Sequence, residues 1–533
     1  TPKRTRALPT PDPAAFPDLR AAASTLRGRL QDRVEKLDRI NALVKMGSYA
    51  WVISGDKTAS GNPIVYSGPQ MGFPVPSIVM EASIRGGGLA ISGMTTPGIP
   101  GIIIGRTPHH AWSMQVGHAH SLDYYLELPT NVQLHRLETI KVAGIPDQVL
   151  PVYRSPRGPI VEPIPYDPGD PPPVVLSWAY AHRGHEVLPE FILASARAGS
   201  VEEFGDAIGT LGVSQHFCYA DADGNIAYWM SGWDPIRPAG VDPRFPLLGD
   251  GSQDWTGEYR ERAHDENPDQ GYYGGWNNKA AADYDNPPQT VGYQLGPAHR
   301  AHVIDEYLST HDGLSYEQVR DLALDIATTD SFGGGGNTWS FVADDFTAAV
   351  QADSTPEREA ALALLDGWDG HFVAGGEGQW VAGTLKADAW VLQDAWIRET
   401  LRLVFADEFA GAGLEWDDQP LVVLFNVLLH ALAGDQASVP TLYDWFQDRS
   451  SSGLPTTAEG LIVLALDNTL TALGQAPWNV DRGVISFNHE MLGTVHTTPR
   501  ASRSTYAHVV EYGDEGPLRI ESMFPLGQSG TIL

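Results

Sequence analysis

Gly47-Ser48-Tyr49-Ala50-Trp51-Val52-Ile53-Ser54-Gly55 is the stretch on which the reading of this chain turns. Tyr49, Trp51 and Ile53 alternate with Ala50, Val52 and Ser54, the period of a β-strand. The run before it is helical and basic; the run after it is β-rich and acidic. A serine that follows a glycine at such a break has the setting of a cut site whose product begins with serine. A free α-amine titrates at roughly 7.7–8.0, so near neutral pH a useful fraction is unprotonated. One residue then supplies both nucleophile and general base. The plain alternative is that Gly-Ser only opens a strand, as most serines beside strands do.

Working outward, Ala23, Leu26, Leu30, Val34, Leu37, Ile40 and Val44 recur every three or four positions. That spacing predicts an amphipathic helix over residues 19–44, with Arg and Lys on its other face, stopping at Gly47. Residues 1–47 hold ten basic and five acidic side chains, whereas the whole chain of 533 residues carries −31. The basic segment is therefore expected to lie on the acidic body. That acidity argues against nucleic acid and anionic membrane surfaces as partners. No run of 18 apolar residues is present, which predicts no transmembrane helix. Thr1-Pro2-Lys3-Arg4 is not followed by an apolar region and does not read as a signal peptide. The single cysteine, Cys218, permits no intramolecular disulfide.

High counts of glycine (56) and proline (40), with 15 tryptophans and 19 tyrosines, favour a β-rich, loop-rich protein over a helical bundle. Short apolar runs at 63–66, 77–84, 89–92, 102–104 and 111–116, separated by glycine and proline, predict a meander of antiparallel strands. Residues 217–220 and 226–230, split by Asp221-Ala222-Asp223-Gly224, predict a hairpin. Helical patterns follow at 298–308, 315–326, 357–368, 389–405 and 421–432, and strands return at 505–512 and 518–523. The fold class is α+β, a large antiparallel sheet with helices inserted late.

An ordered set of motifs carries a resemblance. Ser48-Tyr49-Ala50-Trp51-Val52, Gly68-Pro69-Gln70-Met71-Gly72, residues 97–105 with Trp112, and Trp276-Asn277-Asn278 occur in that order. So do Gly224-Asn225-Ile226-Ala227-Tyr228, Trp255-Thr256-Gly257, Asn337-Thr338-Trp339 and Pro525-Leu526-Gly527-Gln528-Ser529-Gly530. The set resembles the catalytic β-chain of the penicillin acylases, N-terminal-nucleophile amide hydrolases, from Ser48 nearly to the C-terminus. The resemblance implies an αββα sandwich of antiparallel sheets. It also implies two parts: a linker or propeptide at 1–47, and a catalytic domain at 48–533 with helices inserted at about 300–435.

The resemblance assigns roles. Ser48 falls on the nucleophile, freed by autocatalytic cleavage between Gly47 and Ser48; glycine leaves the carbonyl under attack uncrowded. The backbone carbonyl of Gln70 falls on a holder of the α-amine. Val116, through its backbone N–H, and Asn277, through its side chain, fall on the oxyanion donors. Arg300 falls on the arginine near the nucleophile. Met71, Ile104 and His118 fall at acyl-pocket positions where benzyl-selective members have aromatic side chains, with Met114 nearby. A Met and Ile pocket is apolar and adaptable, which points to an acyl group other than phenylacetyl. No cofactor is required by this chemistry. The family often binds a structural calcium, and Asp123 falls on one ligand; His120 departs from the family at a second, and residues 285–288 at a third. An α-subunit from the same precursor is expected as partner, and the location implied is periplasmic or extracellular, with the cytoplasm left open by the missing signal peptide.

Two other readings stand beside this one. His109, His110, His118 and His120, with Asp123 beyond, offer the ligand types of a zinc hydrolase, although the spacing matches no HExxH-type site. The third reading is a catalytically silent binding protein of the same fold.

Overall fold

The computed structural model describes residues 47–117, 119–161, 175–181, 187–243, 245–282, 284, 297–373, 384–411, 413–437, 441, 443–478 and 482–525. The helix predicted over 19–44, His118 and the stretch 285–288 lie outside them.

The strand Gly47–Ile53 is buried along its whole length. It runs antiparallel between Ile64–Gln70 and Tyr272–Gly275, in a five-stranded sheet completed by Ala507–Gly513 and Gly516–Met523. Gly47 is its first residue. A Cβ on Gly47 would stand 3.0 Å from Gln70 Oε1 and 3.1 Å from Arg300 Nη2, so close approach is what glycine serves here.

A second, eight-stranded sheet reaches from Met80–Gly86 to His264–Glu266. Strand alternation divides the first strand between two cores. Ala50 and Val52 pack on Ala111, Cys218, Ala220 and Ile226 of the second sheet. Tyr49, Trp51 and Ile53 pack on Ile304, Leu308, Val319 and Leu322 of the helices His302–Thr310 and Tyr316–Ile326. The latter helix starts at a capping box between Ser315 and Gln318. On its outer face the second sheet buries Trp112, Phe217, Tyr219 and Trp229 against Phe191, Phe204 and Ile208 of the helices Val187–Arg197 and Val201–Thr210. The layers are therefore helix, sheet, sheet, helix: the expected αββα sandwich. Five more helices, Ala343–Ala352, Pro356–Leu365, Thr384–Gly411, Leu421–Ala433 and Ala458–Leu473, enclose a core of their own around Phe346, Trp396, Phe405, Phe425 and Leu466. No helix among the described residues is long and apolar enough to cross a membrane.

Aromatic stacking fixes the first strand laterally. Trp51 stacks on Tyr66 of the neighbouring strand with ring centroids 4.2 Å apart, and Tyr49 meets Trp276 edge-on at 5.4 Å. Each fully buried ring contributes roughly 1.5–3 kcal/mol, more than one net hydrogen bond of about 1 kcal/mol. The Tyr49–Trp276 contact thus locks the residue after Ser48 to the residue before Asn277.

A buried polar contact ties the two sheets together. Arg106 Nη1 lies 3.0 Å from His508 Nε2, and burial, then Arg106, lowers the His508 pKa from 6.5 to about 3. His110, set among Trp112, Phe204 and Tyr219, is lowered likewise to about 3, by burial first and His109 second. Both rings are neutral in the fold and protonate more readily when unfolded. Their contribution is complete above pH 6.5 and is lost as the pH falls towards 3. We expect Tm to fall progressively over that interval, and His508→Gln to flatten part of the dependence. A Tm unchanged between pH 6.5 and 4 contradicts this assignment.

Candidate active site

Ser48 lies at the sheet end where the strand Gly47–Ile53 faces the Trp276–Asn278 loop. Ser54 N donates to the carbonyl of Gly271, the residue just before the neighbouring strand. Antiparallel alternation then turns the amide of Ser48, six residues earlier, to the same side. There Ser48 N donates to Asn277 Oδ1 at 2.8 Å. The same alternation turns the carbonyl of Gln70 towards Gly47, its register partner. Pro69 opposite Ser48 is tolerated because its position exchanges no ladder bonds with that strand. Ser48 Oγ donates to Gly47 O at 2.5 Å, which holds the hydroxyl against the carbonyl of the Gly47–Ser48 bond.

Asn277 is the hub. It adopts φ 61°, a left-handed conformation that asparagine tolerates better than most residues. Its backbone N–H donates to Gln115 Oε1 at 3.1 Å, and Nδ2 donates to Val116 O at 3.0 Å. Val116 pairs with Gln215, but it is Gly117 N that donates to Ser214 O. The N–H and C=O of Val116 therefore turn away from that strand, on the side where Asn277 Nδ2 reaches its carbonyl. Arg300, 8% exposed, donates from Nη2 to Asn277 Oδ1 at 2.9 Å, from Nε to Trp276 O at 3.2 Å and from Nη1 to Gly334 O at 2.9 Å. Its guanidinium also stacks over Trp276 at 4.7 Å. A cation on Oδ1 polarises the Asn277 amide and makes Nδ2 a stronger donor. Gln70 Oε1 accepts from Trp276 Nε1 at 2.8 Å.

Ser48, Gln70, Val116, Asn277 and Arg300 are thus brought together from five separate segments. Met71, Ile104 and Met114 also converge, in one apolar cluster with Val79, Met94 and Tyr506. Sequence reasoning missed Gln115, which holds the Asn277 backbone, and the glycines behind Arg300. A Cβ on Gly335 would stand 2.4 Å from the Trp276 ring, and one on Gly336 would stand 2.7 Å from Arg300 Cα. The run Gly333-Gly334-Gly335-Gly336 beside Asn337-Thr338-Trp339 was the visible signal.

The histidines read as an alternative zinc set do not converge among the described residues. His110 is neutral, with Nδ1 3.1 Å from Thr107 Oγ1 and Nε2 3.0 Å from Ser195 O. His120 Nε2 lies 3.1 Å from Asp123 Oδ1. His109 faces Asp223 at 3.7 Å, and the ligand atoms of His109, Asp221 and Asp223 fall within 4.8 Å of one another. Asp221, however, accepts from Tyr219 Oη, from Asn225 Nδ2 and from the backbone N–H groups of Asp223 and Asn225. The residues around Asp123 do not fit a calcium ion either. Asp123 Oδ2 accepts from Arg237 Nε at 2.8 Å and from Trp255 Nε1 at 2.7 Å, so donors fill the place where an ion would bind.

Comparison with known proteins accords with this geometry. Penicillin G acylase of Escherichia coli is 24% identical over 88% of this chain and 57% of its own length. An acyl-homoserine lactone acylase, QuiP, of Pseudomonas syringae pv. syringae is 25% identical over 70% of this chain and 46% of its own. The chain thus spans about half the length of these curated relatives. The thermostable penicillin G acylase structure from Alcaligenes faecalis superposes with a TM-score of 0.74 at 25% identity, covering 91% of both chains. The family model described as penicillin amidase matches residues 7–532, and the chain belongs to that family.

Proposed function

We propose that the protein is an amide hydrolase that cleaves a small N-acyl amide through an acyl-enzyme on Ser48, after autocatalytic cleavage of the Gly47–Ser48 bond. The observation that carries the proposal is the double engagement of Asn277, with Oδ1 on Ser48 N and Nδ2 on Val116 O. It ties the amine end of the nucleophile to the strand that bears the oxyanion donor. Before cleavage, Ser48 Oγ attacks the Gly47 carbonyl and the amide nitrogen leaves as the new α-amine; water then hydrolyses the resulting Gly47–Ser48 ester, releasing Gly47 as a carboxylate and freeing Oγ. In the mature enzyme that amine, held by Asn277 Oδ1 and the Gln70 carbonyl, takes the Oγ proton as Oγ attacks the substrate carbonyl. The Val116 N–H and the Asn277 amide stabilise the oxyanion. The proton passes to the departing amine, and water then releases the acyl group from Ser48. Arg300 keeps the Asn277 amide oriented. Residues 1–47 act as linker or propeptide, and an α-segment of the same precursor completes the substrate site.

Met71, Ile104 and Met114 favour a flexible, aliphatic acyl chain over phenylacetyl, because thioether side chains adapt to chain shape. A panel of p-nitroanilides with varied acyl groups tests this. The expected result is higher kcat/KM on linear acyl chains than on phenylacetyl, in protein that mass spectrometry shows to contain a fragment beginning at Ser48. A clear phenylacetyl preference overturns the pocket reading. Cleaved protein inert on every amide, joined to its α-segment, favours instead the silent binding protein.

A further inference from the structure

Six residues after Val116 the chain enters the strand Leu122–Glu127, and a single cation ties that segment down. Four oxygen acceptors converge on the guanidinium of Arg237. Nε donates to Asp123 Oδ2 at 2.8 Å, Nη1 to Pro235 O at 2.8 Å and to Asp234 Oδ1 at 3.2 Å, and Nη2 to His120 O at 2.7 Å. The arrangement is interior: the Arg237 side chain is 9% exposed, and those of Asp123 and Asp234 are 1% and 2% exposed.

Two carboxylates and two backbone carbonyls around one centre are the hard oxygen donors that calcium takes. Here a guanidinium holds all four. A second arginine, Arg260, lies 3.3 Å from Asp234 Oδ2, so the two buried carboxylates are matched by two positive charges. A calcium ion added to this set would place two more positive charges against Arg237 in a desolvated site, where uncompensated charge is costly. The ion and the guanidinium therefore exclude each other.

We propose that Arg237 stands in for a divalent cation. Its guanidinium joins the His120–Asp123 segment to Asp234-Pro235 as an ion would, and it makes the fold independent of calcium. The proposal does not depend on the hydrolytic reading and is tested without it.

The test compares calcium titration calorimetry and thermal unfolding, in chelator and in calcium, for the wild-type chain, Arg237→Ala and Arg237→Lys. Wild type is expected to take up no calcium at this cluster and to show the same Tm in both conditions. Arg237→Ala leaves the four acceptors around an empty centre. It is expected to unfold at lower temperature in chelator, to bind one calcium per chain, and to recover Tm in calcium more than in magnesium, whose smaller octahedral shell fits the gap poorly. Adding Asp123→Asn is expected to abolish that rescue. Arg237→Lys, which keeps the charge, is expected to stay insensitive to calcium. Should Arg237→Ala fail to fold in chelator, its refolding yield with and without calcium reads the same dependence. A wild-type protein that binds calcium at this cluster, or loses Tm in chelator, overturns the proposal. So does an Arg237→Ala protein indifferent to calcium.

Discussion

Ser48→Ala is expected to leave the Gly47–Ser48 bond intact and to lower amide hydrolysis by roughly 10⁶-fold, the scale on which loss of a catalytic nucleophile is felt elsewhere. Both effects follow from one atom. Ser48 Oγ sits against the Gly47 carbonyl at 2.5 Å, so its loss removes the attacking group for the cut. In the mature form the same Oγ would carry the acyl group. The fold itself should be little affected. Ser48 contributes a small side chain at the end of a strand whose position is held by Tyr49, Trp51 and their stacking partners. Wild-type activity should also rise with pH through the α-amine range of roughly 7.7–8.0, because only the unprotonated amine accepts the Oγ proton. Intact mass and p-nitroanilide turnover measure both effects. A fragment starting at position 48 in the alanine variant, or turnover within tenfold of wild type, removes Ser48 from its role.

The parts of this site that the sequence made legible are those whose signal is local. The alternation in Tyr49-Ala50-Trp51-Val52-Ile53 predicts a strand, and the strand is there, with its two faces buried in two cores rather than one. Tyr316–Ile326 was legible because Ser315 and Gln318 spell its capping box and its apolar residues keep the helical period. Ala458–Leu473 went unread for the opposite reason. Leu461, Ile462, Val463, Ala465 and Leu466 form a near-continuous buried apolar run, so from Leu461 on the polar residues that would mark a helical period begin only at Asp467. In Val187–Arg197 the proline of the first turn reads as a break, although a helix tolerates proline there.

Within the site, Ser48, Val116, Asn277 and Arg300 come together from positions up to 252 apart, so their convergence was visible only through the family's order of motifs. Arg237 had no such guide. Its partner Asp123 lies 114 residues away, and an arginine in a loop has no local pattern that announces burial. Histidines close in sequence were, conversely, a misleading signal. His109 and His110 are adjacent yet differently engaged, one towards Asp223 and the other in an aromatic nest. Residues 1–46, where the basic helix was expected, lie outside the described part of the chain.

Asn277→Asp separates catalysis from architecture at the hub. The variant keeps Oδ1, the acceptor for Ser48 N and Arg300 Nη2, and aspartate shares asparagine's tolerance of φ 61°. Alanine would lose the acceptor and strain the backbone, so its effect would be ambiguous. The aspartate loses only the Nδ2 donor. It sets a carboxylate oxygen where Nδ2 met the Val116 carbonyl, and Arg300 lies beside it to balance the charge. Folding should therefore survive, with a modest fall in Tm from that repulsion. Turnover should fall by about 10²–10³-fold or more, the usual cost of removing one oxyanion donor. Because the oxyanion exists only in the transition state, kcat and kcat/KM should fall together while KM holds. The measurement is steady-state kinetics on protein whose cleavage at Ser48 has been confirmed by mass, beside a thermal melt. A loss confined to KM, or a kcat within a few-fold of wild type, would show that Asn277 positions Ser48 without stabilising the oxyanion. The second donor would then have to be sought among the other N–H groups facing Ser48.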